Sequence, residues 1–167
     1  DFVMQFLDSD SDSTTNNSSG AFVDIPSGSR VLYAGLFWGA GTTAGSGGVA
    51  ASGRLDQIKL RTPGAATYQV ISATRPLDRM TSGGGAYDYS AYADITPIVQ
   101  AGGAGMYWAA DIAAATGRDR YGGWSIVVAY SNPNLPLRDL TVFGGYASVQ
   151  SNQVVTTSLS GFLTPAT

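Results

Sequence analysis

The chain of 167 residues has no cysteine and no histidine; its twelve acidic residues are all aspartate, and Lys59 is its single lysine beside eight arginines. Each absence removes a class of chemistry. Without Cys or His there is no disulfide framework, no zinc or copper site of the usual kind, and no Ser–His or Cys–His nucleophile pair. The near absence of Glu and Lys removes two good helix formers. Charged residues make up 13% of the chain and the net charge is −3. With no Lys/Arg cluster, that balance carries no electrostatic footprint for nucleic acid. No run of eighteen apolar residues is present, so the sequence contains no membrane-spanning helix. The Gly83-Gly84-Gly85 run lacks the Gly-Lys-Ser/Thr that opens a helix in a phosphate-binding loop.

What is there points to strands. Hydrophobic residues make up 44% and there are 22 glycines, with abundant Thr, Ser, Tyr and Val. This composition predicts an all-β domain, and the length suits one domain over 1–167 with a full core. The central feature is Tyr121–Val149. Two apolar runs flank the breaker Ser131-Asn132-Pro133-Asn134-Leu135-Pro136, which predicts strand–turn–strand. In the first run Trp124, Ile126, Val128 and Tyr130 share one face, and the other face is no more polar, so the strand is expected at the centre of a sheet. Arg30–Ala40 is a second central strand by the same reasoning.

Further strands are expected at Phe2–Leu7, Ala21–Ile25, Gln57–Leu60, Tyr68–Ala73, Tyr87–Ile95, Met106–Ile112 and Val154–Leu159, with loops at Asp8–Gly20, Gly41–Gly53 and Arg75–Gly85. The Gly/Ala-rich loop Gly41–Gly53 suits either a mobile tip or a close-packed crossover. Thr96–Gly102 reads as one short helical turn, with Thr96 as N-cap, Pro97 at the first position and Gly102 as stop. About ten short strands at this spacing predict a jelly-roll-like β-sandwich.

Several blocks stand in one order: Asp1-Phe2-Val3-Met4, Leu7–Asp12, Val31–Gly39, Ala93–Val99, Asp119–Tyr130 and Leu137–Phe143. Together they resemble an uncharacterised domain at the head of very large secreted bacterial surface proteins, of actinobacterial type, that continue into tandem immunoglobulin-like repeats. The resemblance covers most of the chain, and Gly144 departs from it where the family often has Asp. It implies a secreted or cell-surface location and an adhesin-like setting. It also implies that the family continues beyond Thr167, so that the chain is its first part; separately, the opening on a strand-like run without Met is expected for a processed protein or an excised piece. It carries no activity across.

Chemistry is therefore read from the residues. Asp8-x-Asp10-x-Asp12 places alternate carboxylates in a loop, and Asn16 and Asn17 lie close enough to complete an oxygen shell, which suits calcium. The match to an EF-hand fails at Ser13, and the competing reading is a loop of side chains bonded to nearby backbone. Tyr87 and Tyr89 share a face and Tyr92 lies near, with Asp88 beside them. As exposed rings these four residues would suit a glycan. As core rings they would only pack, which is also the expectation for Trp38 and Trp124. Asp88, Asp94, Asp111 and Asp119 would have to converge for a two-carboxylate glycosidase. Arg118-Asp119-Arg120 reads as a loop ion pair. Lys59 raises an intramolecular Lys–Asn or Lys–Asp amide, although it faces outward with Gln57.

The expected function is a non-catalytic extracellular module taking a glycan or peptide ligand, with calcium as a stabilising ion. The alternative is a structural subunit that meets neighbouring copies by strand addition through Phe2–Phe6. A carbohydrate-active enzyme ranks last.

Overall fold

The computed structural model describes residues 2–82, 86–147, 149 and 152–161. The Gly83–Gly85 run lies outside them. In chain order the elements are β1 (Val3–Met4), β2 (Ser18–Val23), β3 (Arg30–Gly41), β4 (Gln57–Arg61), β5 (Gln69–Ser72), β6 (Asp78–Ser82), β7 (Ala86–Asp94), α1 (Thr96–Gly102), β8 (Gly105–Ala110), β9 (Gly117–Arg118) and β10 (Gly122–Ser131). The protein is an all-β sandwich. One four-stranded sheet has the order β10-β3-β7-β6 and the other β2-β8-β4-β5, and β1 and β9 form a small separate pair. All paired strands are antiparallel. Successive strands pass from sheet to sheet except at the hairpins β4–β5 and β6–β7, which gives the expected jelly-roll-like wrapping.

The alternation of β3 builds the core. Ala34, Leu36, Trp38 and Ala40 point inward and are at most 2% exposed. They pack with Tyr89, Ala91 and Ala93 of β7 against Ile58, Leu60, Tyr107 and Ala109 of the other sheet. Each such large apolar side chain stabilises the fold by about 1.5–3 kcal/mol on burial. The polar tips of the core aromatics are satisfied. Trp38 Nε1 donates to the Leu55 carbonyl at 3.0 Å, Tyr89 to that of Ala113 at 3.0 Å, and Tyr107 to that of Gly103 at 2.8 Å.

Five expectations are corrected. First, β10 is an edge strand. Among the described residues it pairs with β3 alone, and its inward residues Trp124, Ile126 and Val128 are only half-buried. Second, the predicted return strand does not form. Asn132 makes the turn, accepting from Asn134 N at 2.9 Å and donating to Ser29 Oγ at 2.8 Å, but Leu137–Ala147 then crosses the outer face of the sheet without regular structure. Third, Val154–Leu159 is likewise no strand. Fourth, Asp78–Ser82, read as part of the Arg75–Gly85 loop, is β6 and pairs with β7. Fifth, only Val3–Met4 of the first run is a strand, and it pairs with Arg118 and Gly117 of its own chain. That pairing weakens donation of this run to a neighbour.

The helix appears where expected, with its ends shifted. Ile95 is the N-cap residue and makes no side-chain cap, while Asp94 Oδ1 accepts from Thr96 N at 2.9 Å. Thr96 Oγ1 instead accepts from Ala34 N at 2.9 Å, tying the helix start to β3. The left-handed stop is at Gly103, with φ 66°.

Candidate functional site

The second face of β3 makes the site. Tyr33, Gly35, Phe37 and Gly39 point away from the core, and Tyr92 of β7 stands opposite Phe37 in register. The Phe37 and Tyr92 rings lie 5.0 Å apart at 48°, and the Arg75 guanidinium sits 5.0 Å from the Tyr92 ring centre. Gly35 is the floor between them. A Cβ there would collide with the Tyr33 hydroxyl and press on the Tyr92 ring. Burial, then a hydrogen bond with Tyr92, raises the Tyr33 phenol well above its ordinary pKa. Leu140–Gly144 forms a wall, and with Tyr33, Phe37, Arg75, Tyr92 and Ala129 it encloses a cleft of about 480 Å³. Such a cleft offers ring faces to an apolar surface, a fixed cation, and phenol groups that donate and accept.

Of the four predicted ligand residues, the structure places Tyr92 in this cleft. Tyr89 is 1% exposed and belongs to the core, so the predicted exposed Tyr87–Tyr89 pair is not formed. Tyr87 lies half-buried with Arg79 at 5.3 Å from its ring centre. Asp88 points outward and bonds to Tyr121, whose hydroxyl also lies 3.2 Å from that of Tyr146. Tyr33, Phe37 and Arg75 were missed. For Tyr33 and Phe37 a partial signal was present in the two-faced apolar pattern of β3, which implies that something covers its outer side; Arg75 carried none.

The Asp8–Asn17 loop is closed by its own donors. Asp8 Oδ1 accepts from Ser18 Oγ at 2.8 Å, and Asp12 Oδ1 accepts from Thr14 N at 2.9 Å and Thr14 Oγ1 at 2.7 Å. Asp10 has a fully buried side chain. It accepts from Asp12 N at 3.0 Å and from the Tyr68 hydroxyl, with Arg61 at 3.8 Å. Burial raises the Asp10 pKa, but the bonds from Tyr68, Asp12 and Ser18 and the Arg61 charge outweigh it and hold the group below the usual range. Asn16 and Asn17 turn elsewhere. Asn16 N donates to Asp111 Oδ1 at 2.8 Å, and the Asn17 amide pairs with Ile112 through Oδ1 at 3.0 Å and Nδ2 at 3.1 Å. Among the described residues no group of three carboxylates gathers around one point. Thr15 Oγ1 does lie 3.4 Å from both Asp8 Oδ1 and Asp10 Oδ1.

Lys59 Nζ lies 2.8 Å from Asp111 Oδ2 and donates to the Thr14 carbonyl at 2.7 Å, as an ion pair at the rim of a cleft of about 470 Å³. Asp88 and Asp94 share one face of β7 six residues apart, a span of about 20 Å, beyond the separation of a glycosidase pair. Arg120, read as part of an ion pair, donates to the Thr43 carbonyl at 2.6 Å and that of Asp119 at 2.8 Å. The chain matches no family model, no curated protein and no solved structure.

Proposed function

We propose that this is a non-catalytic, surface-displayed binding domain that takes a short glycan in the Tyr33–Phe37–Tyr92 cleft. The observation that carries the reading is the tilted Phe37–Tyr92 ring pair with Arg75 against it on the outer sheet face. Ring faces pack against the C–H faces of a sugar, and the Arg75 guanidinium and the Tyr33 phenol supply bonds to hydroxyls. The long span between Asp88 and Asp94 on β7 and the pairing of Asp111 with Lys59 support binding without hydrolysis. Secretion or surface display rests on the resemblance to surface-protein head domains.

A glycan array followed by titration of the best ligand tests this. Tyr92→Ala is expected to lower affinity about tenfold, the scale of one lost aromatic contact. An array without binders, or an unchanged affinity in the variant, would sink the reading. A peptide ligand is the second reading, favoured by one observation: the cleft wall Leu140–Gly144 is itself an irregular stretch of chain lying against the rings.

A further inference from the structure

We propose that the outer edge of β10 is an assembly edge, and that it takes the strand-type run Val154–Leu159 of a second copy of this chain. The inference is independent of what the aromatic cleft binds.

The edge is built unlike a protected one. Natural sheet edges are short, charged, interrupted by proline or twisted by bulges. β10 is ten residues long and reads Gly-Gly-Trp-Ser-Ile-Val-Val-Ala-Tyr-Ser, without charge or proline. Its one irregularity falls near the end, between Ala129 and Tyr130. Met4–Leu7 covers the Gly122–Trp124 end, where these residues line a small cleft of about 210 Å³. Beyond it, among the described residues, Ser125–Ser131 bonds in a ladder only to β3. Trp124, Ile126 and Val128 stay half-buried, whereas the matching β3 residues are at most 2% exposed. Trp124 Nε1 donates to Ser19 Oγ at 2.8 Å, so the edge strands β10 and β2 of the two sheets lie on one flank. A strand added beside β10 would cover that flank.

The chain also carries a segment of the matching kind. Val154-Val155-Thr156-Thr157-Ser158-Leu159 has four β-branched residues, no charge and no proline, and it stands outside every sheet. Val154 is 90% exposed and Leu159 52%. Its six residues are one fewer than the seven of Ser125–Ser131, and neither segment carries a charge to repel the other. The chain's own connection, Leu140–Gly144, lies on the outer face of the sheet and not along the edge. Edge and run are different surfaces, so the contact is head-to-tail and open-ended.

Sedimentation of the full chain from micromolar to millimolar concentration tests the proposal. The wild type is expected to grow in mass with concentration. Val127→Lys places a charge on the exposed edge, and Thr156→Pro removes a backbone donor from the run. Each is expected to weaken self-association roughly tenfold or more, with the melting curve unchanged. Because Thr156 lies in irregular exposed chain, its variant keeps the test open even if Val127→Lys fails to fold. Mixed together, the two variants are expected to form pairs that grow no further, since one keeps the run and the other keeps the edge. A wild type that stays monomeric throughout overturns the proposal, as do two variants that assemble like the wild type.

Discussion

Asp10 shows how much one side chain fixes in this protein. Its buried carboxylate joins the Asp8–Asn17 loop to Tyr68 and Arg61 near the second sheet. Asp10→Ala leaves the Tyr68 hydroxyl and the Asp12 N–H without their acceptor, and is expected to cost about 1–3 kcal/mol in denaturant unfolding. The same group sets part of the acid response. Asp10, Asp12, Asp56 and Asp94 all have pKa values lowered by folding. A lowered carboxylate contributes stability that is full above its unfolded value near about 4 and is lost as pH falls through the folded value. Thermal stability is therefore expected to drop on acidification below about pH 4, and to drop less in Asp10→Ala. At this scale the sequence was half legible. The Asp-x-Asp-x-Asp spacing marked a special loop. That Tyr68 and Arg61 come to meet it depends on sheet pairing, which no local spacing encodes.

Strand existence was more legible than strand neighbours. The two-faced apolar run of β3 gave its central place, and the same signal misplaced β10. A strand apolar on both faces is either central or covered from outside, and periodicity does not separate the two. The missing return strand follows from this: the outer face of β3 draws Leu140–Gly144 across it, and Pro133 and Pro136 already turn the chain away. In α1 the cap is supplied by the residue before Ile95. Asp94→Ala removes the bond from Thr96 N at 2.9 Å. It is expected to cost about 1 kcal/mol, read as a shift in the denaturation midpoint without change of slope.

Across the whole molecule, the sandwich was readable from composition and spacing, while the cleft was not, because Tyr33, Phe37, Arg75 and Tyr92 come from β3, β7 and the chain before β6. The Asp8–Asn17 loop also belongs to this scale, since it links β1, β2 and the chain after β8. Its carboxylates already have donors, so added calcium is expected to leave the melting temperature where a chelator leaves it. A rise with calcium concentration would instead mean that Asp8 and Asp10 re-form around the ion in place of Thr15.

To a protease, Gly41–Gly53 is a poor substrate despite its composition. Gly45 N donates to the Thr116 carbonyl at 2.9 Å, Thr116 N to that of Val49 at 2.9 Å, and Ala51 N to that of Thr42 at 2.9 Å. A Cβ at Gly45 or Gly48 would collide with the backbone of Thr116–Arg118, so the glycines permit close packing, and the loop is a crossover rather than a tip. An enzyme must lift about ten residues of extended chain into its own groove, and here that chain is already bonded on one side. Limited digestion with a broad-specificity protease such as proteinase K is expected to cut first in the exposed stretch around Leu137–Leu140, and peptide mapping should recover the core from β1 to β10 with this loop whole.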